Sequence, residues 1–313
     1  MNGFFTSLKG YIDSTVLPAS GSHRIYSRIR LADNSAPEGV RTIIGVENES
    51  SAENASFIAL DRHLVSKGVR VPRVYDVSAD GLCYTQDDLG DVSLHDCLDN
   101  KPLLLQVMGE LPRIQFGAKD FDWSKCFATR EFGPRIINFD LNYFKYCFLR
   151  ISGVLFDENR LQDDFDRLCT DLVGVPSETF LYRDFQSRNI MVYDGNPWYI
   201  DFQGGFKGPF YYDLCSFIYH ASSAFSQSEK DELKEAYYAS LRDYANVGRS
   251  EFEANVRKFA LLRIMQALGA YGFRGLVEKK QYFADCIPAG IRNLQSVACD
   301  RYPYLKSLSE SLL

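Results

Sequence analysis

The sequence lacks the paired cysteines and histidines from which disulfide frameworks and metal sites are built. Its 313 residues include 8 cysteines but no Cys-x-x-Cys pair, and only 4 histidines, none at the spacing of metal ligands. The cysteines occur singly in apolar stretches, as Cys147 does between Tyr146 and Phe148. They therefore predict small core residues in a reducing compartment, and the chain is not expected to be a transition-metal hydrolase.

Basic charge and long apolar runs are also scarce. The 41 acidic residues outnumber the 35 lysines and arginines, which argues against a nucleic-acid partner, because such a partner requires a clustered basic surface. No stretch approaches the roughly 18 apolar residues of a membrane span, and the first residues resemble no signal peptide. We expect a soluble cytoplasmic protein that binds a small molecule, with no nucleic acid or membrane as partner.

Hydrophobic periodicity predicts a strand-rich first part. Residues 24–31 alternate, with Ile25, Ile29 and Leu31 on one face and arginines on the other, as in a half-buried strand. A helix is predicted after the capping pattern Ser50-x-x-Glu53. Three further segments have the composition and flanking turns of strands: residues 42–46, 74–77 and 82–85.

From residue 89 onward the pattern favours helices. Apolar residues spaced four and three apart form a stripe over 137–151, and further helices are predicted after Ser-x-x-Glu patterns at Ser226 and Ser250. The dipeptide Asp194-Gly195 predicts a hairpin between short strands at 190–193 and 198–200. We therefore predict an α+β, bilobal fold. Its N-terminal nucleotide-binding lobe spans residues 1–88, its C-terminal catalytic and substrate-binding lobe spans 89–313, and a cleft between them is a natural ligand site.

Three polar side chains around that hairpin point to phosphoryl transfer. Asp184 and Asn189 are five residues apart in one loop, and Asp201 follows the second hairpin strand. Phosphoryl transfer needs a carboxylate to accept the nucleophile's proton and oxygen ligands to hold Mg²⁺ on the phosphates. The pattern predicts Asp184 as the base and Asn189 and Asp201 as the metal ligands. Turn-forming roles for any one of them are common, but three in this order around a hairpin favour the catalytic interpretation.

Two runs, residues 182–191 and 200–214, resemble the aminoglycoside phosphotransferase and choline kinase superfamily. The first reads Tyr-Arg-Asp-Phe-Gln-Ser-Arg-Asn-Ile-Met, and the second combines Asp-Phe-Gln with a later Gly-Pro and Tyr-Asp-Leu. Within that group the second run looks most like bacterial kinases that phosphorylate N-acetylmuramate and N-acetylglucosamine. The resemblance implies a protein-kinase-like fold, ATP and Mg²⁺ as cofactors, and supporting roles for Arg183, Gln203 and Asp213, the last as an anchor of the catalytic loop.

The sequence departs from the superfamily pattern at two positions. Tyr182 stands where a histidine is usual, and the predicted strand at 42–46 carries no lysine to contact the α- and β-phosphates. Arg24, Arg28 and Arg30 are the alternatives for that contact, with Arg28 preferred, although the planar arginine fork is not equivalent to lysine.

Other residues are predicted to contact the nucleotide. Ser20, Gly21 and Ser22 precede the first alternating strand and either cover the phosphates or form a simple turn. Gln86 and Asp87 lie where the lobes join, and there the backbone is expected to meet the adenine. Glu53 is either the helix glutamate that pairs with the phosphate-binding cation or only part of the capping pattern.

Basic residues among aromatics are candidates for the acceptor site, namely Lys145, Lys207 and Arg274, together with Arg263. Surface exposure is the commoner fate of such residues, but they argue against a cationic aminoglycoside as substrate. We predict an ATP- and Mg²⁺-dependent kinase of a small alcohol, with an amino sugar such as N-acetylmuramate or N-acetylglucosamine as the expected acceptor. A regulatory pseudokinase, or a kinase of choline-like or aminoglycoside alcohols, remains the alternative.

Overall fold

The segments predicted as strands form one antiparallel sheet in the computed structural model, which describes residues 2–18, 24–32, 42–127 and 129–312. The chain divides into two compact units. Unit 1 comprises Met1–Asp96, Asp120–Arg130 and Arg188–Gly204, and unit 2 comprises Cys97–Lys119, Glu131–Ser187 and Gly205–Leu313. Unit 1 therefore includes two segments from beyond residue 88, and the functions predicted for the two parts of the chain stay predictions.

Unit 1 contains the sheet, its flanking helices and a separate hairpin. The elements are α1 (Gly3–Thr6), β1 (Tyr11–Val16), β2 (Ile25–Leu31), β3 (Thr42–Glu47), α2 (Ser51–Ser66), β4 (Val74–Val77), β5 (Cys83–Asp87), β7 (Ile190–Tyr193) and β8 (Asn196–Tyr199). The sheet has the strand order β1-β2-β3-β5-β4 with every neighbour antiparallel, and the hairpin is β7–β8.

One face of the sheet packs against α1. Phe5 of α1 is buried together with Ile29 and Ile43 of the strands. Gly45 on β3 permits this contact, because a Cβ there would lie 2.7 Å from Ile29 Cδ1 and 2.9 Å from the Phe5 ring. The opposite face of the sheet carries the alternate side chains, which include Tyr26 and Arg28 of β2.

The predicted Asp-Gly hairpin is present. Asp194 and Gly195 both have positive φ, 49° and 69°, as a tight type I′ turn requires. The hairpin is bound to the rest of unit 1 by backbone hydrogen bonds from Val192 to Val92 and from Tyr199 to Arg70, each 2.8 Å. Because the hairpin is fixed in this way, the residues on either side of it are fixed too.

Unit 2 is mostly helical, with one two-stranded sheet, β6–β9. Within the described ranges, no helix of either unit combines the length and apolar character that crossing a bilayer requires. The elements of unit 2 are α3 (Lys101–Gly117), α4 (Pro134–Phe144), α5 (Glu158–Val173), β6 (Thr179–Leu181), β9 (Phe206–Gly208), α6 (Tyr211–Ile218), α7 (Gln227–Leu241), α8 (Arg249–Tyr271), α9 (Gln281–Val297) and α10 (Pro303–Glu310).

The apolar stripe over 137–151 is interrupted. Helix α4 continues as a π-helical segment, Lys145–Leu149, and α8 continues as a second one, Gly272–Val277. A π turn adds a residue and shifts the phase of the helix, so Phe148 remains buried whereas Ile151 is 39 % exposed. The predicted stripe is therefore buried as far as Phe148, and the prediction was wrong at its last position, Ile151.

The helix starts agree only in part with the capping patterns. At Ser226 both hydrogen bonds of the capping box with Glu229 are formed, as predicted. Helix α8 instead begins at Arg249 after Gly248, so the predicted start at Ser250 was wrong by about one position. At α2 the Ser50 side chain accepts from the Glu53 amide, but the Glu53 carboxylate binds elsewhere. The box there is therefore half formed, which leaves the carboxylate for another role.

Candidate active site

The loop after strand β6 presents Asp184 in unit 2. Its side chain is 51 % exposed, whereas Phe185 beside it is fully buried. Arg183 has φ of 80°, a conformation that costs energy for a residue with a side chain and that is common at functional loops. The half-exposed Asp184 carboxylate is therefore held by a constrained backbone and is accessible to a ligand.

Asp213, at the start of α6, fastens this loop. Its carboxylate accepts hydrogen bonds from the backbone amides of Tyr182 at 2.9 Å and Arg183 at 3.0 Å, and from Gln115 Nε2 at 2.9 Å. Burial raises the pKa of Asp213 to about 6, and the hydrogen bonds oppose that rise. Tyr182, which replaces the usual histidine, thus contributes its backbone amide to the anchor, and its ring is buried.

The Arg183 side chain is held by a buried carboxylate. Its Nη1 donates to Asp140 Oδ2 at 2.8 Å, a second nitrogen donates to the other oxygen, and the guanidinium carbon lies 5.1 Å from the centre of the Tyr212 ring. This planar two-bond geometry is one that lysine does not reproduce. Arg183 therefore supports the loop and its charge is matched by Asp140.

A second arginine of unit 2, Arg263 on α8, lies beside Asp184. Its Nη2 is 3.7 Å from Asp184 Oδ1, a distance that gives an electrostatic contact but no hydrogen bond. Nε donates to Ser216 Oγ at 2.9 Å, and Nη1 donates to Gln266. The arginine is almost completely buried, so its charge is fixed next to the carboxylate.

The two predicted metal ligands, Asn189 and Asp201, come together in unit 1. Asn189 Nδ2 donates to Asp201 Oδ2 at 3.1 Å, and Gln203 Nε2 donates to Oδ1 at 2.7 Å. Asp201 has φ of 65°, a second strained position in the predicted motif. Asp201 and Asn189 offer a carboxylate and an amide oxygen, which are hard ligands of the kind that Mg²⁺ prefers, so the residues present fit this ion.

An arginine and a glutamate form an ion pair in the same unit. Arg24, just before β2, donates to Glu53 Oε1 of α2 at 2.9 Å, and its side chain is only 3 % exposed. Asn48 Nδ2 also donates to Glu53, at 3.2 Å. A buried cation paired with a helix glutamate is the arrangement in which the protein-kinase fold holds its phosphate-binding lysine.

Tyr26 and Phe202 connect this ion pair with Asp201. Phe202 is fully buried and stacks on Phe57 of α2, with ring centres 4.8 Å apart. Burial raises the pKa of Tyr26, the neighbouring Arg24 opposes the rise, and Asp201 adds to it. The Tyr26 hydroxyl is therefore close enough to both charges to be influenced by each, and the Arg24 side chain and the Asp201 carboxylate belong to one region of unit 1.

Arg28, the arginine preferred from the sequence, has different partners. It makes two hydrogen bonds with Asp88, at 2.7 and 3.0 Å, and two with Asp91, at 3.1 and 2.9 Å. Two carboxylates already neutralise this guanidinium, whereas Arg24 occupies the helix-glutamate pair. Exposed Arg30 pairs with Asp13. Arg24 therefore has the helix-glutamate partner expected of a phosphate-binding cation, Arg28 joins strand β2 to the segment after β5, and the preference for Arg28 in phosphate binding stays a prediction.

Of the two residues predicted to meet the adenine, Gln86 has a polar atom without a partner among the described residues, whereas the Asp87 carboxylate is hydrogen-bonded. Gln86 is 9 % exposed, and within the described ranges its Oε1 is buried without a hydrogen-bond partner, as a polar atom awaiting a ligand would be. Asp87 accepts from the Arg73 amide at 2.8 Å and from the Tyr75 hydroxyl, so its carboxylate has a structural role. The predictions for Ser20, Gly21 and Ser22 lie outside the described residues.

The predicted acceptor-binding cations of unit 2 are engaged with other groups. Lys145 Nζ lies 3.0 Å from Glu158, and Lys207 Nζ lies 2.8 Å from Glu178. The guanidinium carbon of Arg274 lies 5.2 Å from the centre of the Phe283 ring. None of these contacts involves Asp184, and a role for the three residues in acceptor binding stays a prediction. Sequence reasoning gave no signal for Gln115 and Asp140, because they act only through side chains that are distant in the chain.

Two comparisons of the sequence agree with this geometry. Residues 151–248, which include Asp184, Asn189, Asp201 and Asp213, match a model described as the phosphotransferase enzyme family. The chain is also 24 % identical over 232 residues to an N-acetylmuramate/N-acetylglucosamine kinase of Neisseria meningitidis serogroup B, covering 68 % of this chain and 67 % of that protein.

Solved structures agree with the fold over nearly the whole chain. An amicoumacin kinase in complex with AMP-PNP, Ca²⁺ and amicoumacin has a TM-score of 0.68 at 12 % identity, covering 98 % of this chain and 92 % of that one. A choline kinase from Streptococcus pneumoniae has a TM-score of 0.62 at 13 % identity, covering 94 % and 96 %. These likenesses confirm the predicted protein-kinase-like fold.

The fold and the loop around Asp184 define a small-molecule kinase, an enzyme that transfers a phosphoryl group. The match of residues 151–248 to the phosphotransferase family model and the similarity to the Neisseria kinase confirm the resemblance seen in the sequence motifs.

Proposed function

We propose that this chain transfers the γ-phosphoryl group of ATP to a hydroxyl of an amino sugar such as N-acetylmuramate or N-acetylglucosamine. The observation that carries the proposal is the accessible Asp184 carboxylate on a loop anchored by buried Asp213, within the segment that matches the phosphotransferase family. The choice of an amino sugar rests on the Neisseria relative, whose printed substrates are these two sugars.

Asp184 acts as the general base. It accepts the proton of the acceptor hydroxyl while the hydroxyl oxygen forms a bond to the γ-phosphorus, and the bond from that phosphorus to the bridging oxygen breaks to release ADP. Asp213 keeps the base in place through the two backbone amides of the loop, since a displaced base loses the short contact that proton transfer needs.

Asn189 and Asp201 would hold Mg²⁺, and Gln203 would orient the Asp201 carboxylate through its 2.7 Å hydrogen bond. Bound Mg²⁺ supplies neutralisation of the negative charge on the phosphate oxygens. Arg24 directs its positive charge to the α- and β-phosphates and takes the place of the missing lysine, while Glu53 fixes the guanidinium. The Oε1 of Gln86, which has no hydrogen-bond partner among the described residues, supports adenine recognition, because the amino group of adenine is a donor.

The test is ADP release with ATP and Mg²⁺ against N-acetylmuramate, N-acetylglucosamine, other hexoses, choline, ethanolamine and an aminoglycoside. The Asp184→Asn and Asp201→Ala variants are measured in parallel. Asp300→Asn is the matched control, because Asp300 is an exposed carboxylate of unit 2 that pairs with exposed Lys306. We expect turnover of an amino sugar that falls by roughly 100-fold or more in Asp184→Asn, as loss of a general base does, and that is unchanged in the control.

Two outcomes would contradict the proposal. Turnover that survives in Asp184→Asn would show that Asp184 is not the base. Tight ATP binding by the wild-type protein with no turnover of any acceptor would favour a regulatory pseudokinase. The missing strand lysine is the feature that supports that second function, and the Arg24–Glu53 pair is the observation against it.

A further inference from the structure

Arg263 is a buried cation with one nitrogen that faces the catalytic loop. Two of its nitrogens are committed, Nε to Ser216 at 2.9 Å and Nη1 to Gln266. Within the described part of the chain Nη2 has no hydrogen-bond acceptor, and its contact is with Asp184 Oδ1 at 3.7 Å. A guanidinium fixed at two nitrogens retains donors at the third, and its delocalised charge is not neutralised by the uncharged partners Ser216 and Gln266.

The other charges of the loop do not cancel this one. Arg183 is matched by Asp140 through two hydrogen bonds, and both arginines lie over the Tyr212 ring, at 5.1 and 6.0 Å. Among the described residues, the carboxylate paired with Arg263 is that of half-exposed Asp184. When Asp184 takes up a proton from the acceptor, the positive charge beside it is left uncompensated.

We propose that Arg263 is an acceptor-specificity residue, which binds an oxygen of a neutral or anionic acceptor and rejects alcohols that carry an ammonium group near the reacting hydroxyl. This inference rests on the proposed function, because it places the reacting hydroxyl on Asp184. A sugar hydroxyl or carboxylate next to the reacting group accepts from Nη2 in a charge-assisted hydrogen bond. Choline and ethanolamine carry their cation two carbon atoms from the hydroxyl, so binding on Asp184 places two positive charges close together.

The test compares kcat/KM for N-acetylglucosamine with that for choline and ethanolamine in the wild-type, Arg263→Met and Arg263→Lys proteins. Arg263→Met is expected to lower the value for the sugar by roughly 10- to 100-fold, mainly through the KM for the sugar, because a hydrogen bond to a charged donor is lost. The KM for ATP stays the same. The values for choline and ethanolamine stay the same or rise, and Arg263→Lys keeps part of the preference because it keeps the charge.

Lys234→Met is the matched control. Lys234 is another largely buried cation of unit 2, with a side chain 16 % exposed, and it pairs with Asp231 and Glu253 rather than with the catalytic loop. Its removal is expected to lower stability without changing the preference between the sugar and choline. If Arg263→Met fails to fold, Ser216→Ala removes one anchor of the guanidinium while leaving the cation, and is expected to give a smaller loss in the same direction.

Binding of N-acetylglucosamine measured by calorimetry separates this inference from the proposed function. If the sugar binds through Arg263 but ADP is never released, the proposed function fails, and only the contact between Arg263 and the sugar is supported. If turnover depends on Asp184 but the ratio of kcat/KM between sugar and choline is the same in Arg263→Met and wild type, the inference is overturned and the function stands. An equal loss for all acceptors, together with weaker ADP binding, would also overturn it, because it would indicate a purely structural role.

Discussion

Asp61 makes the stability of unit 1 depend on pH in a direction opposite to that of most carboxylates. It lies on α2 with 1 % exposure, and within the described ranges its Oδ1 is buried without a hydrogen-bond partner. Burial raises the pKa of Asp61 from 3.8 to about 7. The perturbation is Asp61→Asn, which keeps the shape of the side chain and removes the ionisable group.

The sign follows from proton binding. Between about pH 4 and pH 7 the folded protein holds a proton on Asp61 that the unfolded chain has released, so stability falls as pH rises through this window. A pKa difference of about 3 units corresponds to about 4 kcal/mol at most, at 1.36 kcal/mol per unit. The Asn variant lacks this penalty. Its advantage over wild type should therefore grow by a few kcal/mol, up to about 4, between pH 4.5 and pH 8.

The assay is urea unfolding followed by tryptophan fluorescence. Both tryptophans of the chain, Trp123 and Trp198, lie in unit 1, so the signal reports the unit that contains Asp61. Asp80→Asn is the control. Asp80 is exposed in the same unit, and the hydrogen bond from the Ser78 side chain lowers its pKa. The Asp80→Asn variant should therefore lose stability relative to wild type, rather than gain it, as pH rises. An Asp61→Asn advantage that is equal at pH 4.5 and pH 8 would refute the reasoning.

Substitutions at Arg24, Gly272 and Asp213 each test one contact of the structure. Arg24→Met should raise the KM for ATP by roughly 10-fold or more, since a charge-assisted contact is lost, and Glu53→Gln should have a smaller effect of the same kind; equal ATP kinetics would exclude Arg24 as the phosphate cation. Gly272→Ala should lower the melting temperature by several degrees, because a Cβ there would lie 2.1 Å from the Cys147 carbonyl oxygen; an unchanged melting temperature would show that the two π segments separate easily. Asp213→Asn should lower kcat more than the KM for either substrate, because the amide has only one acceptor oxygen for the three donors around Asp213; an unchanged kcat would show that the loop is held by other contacts.

The parts of the fold that could be predicted depend on neighbours in the chain. Strands β2 and β3, the Asp-Gly hairpin and the capping box at Ser226 are present as expected, because alternation, turn chemistry and capping act over a few residues. The break in the stripe after Phe144 could not be predicted, because it depends on the close approach of two helices at glycines. A Cβ on Gly269 would lie 2.8 Å from the Tyr143 backbone, a contact that joins residues more than a hundred positions apart.

Within the candidate site, too, the sequence pattern could not show which distant residues Arg24 and Arg28 would contact. Both have the parity of one face of β2, so period-2 alternation treats them alike. Their partners decide between them: Glu53 projects from α2 towards Arg24, whereas Asp88 and Asp91, after β5, bind Arg28. The sequence contained a clue in Glu53, which had two possible uses, as a capping residue or as a partner for a cation. The two are not exclusive, because the capping bond uses the Glu53 amide and the ion pair uses its carboxylate. A glutamate in the capping pattern of this helix is therefore also worth testing as the partner of a cation when the usual phosphate-binding lysine is missing.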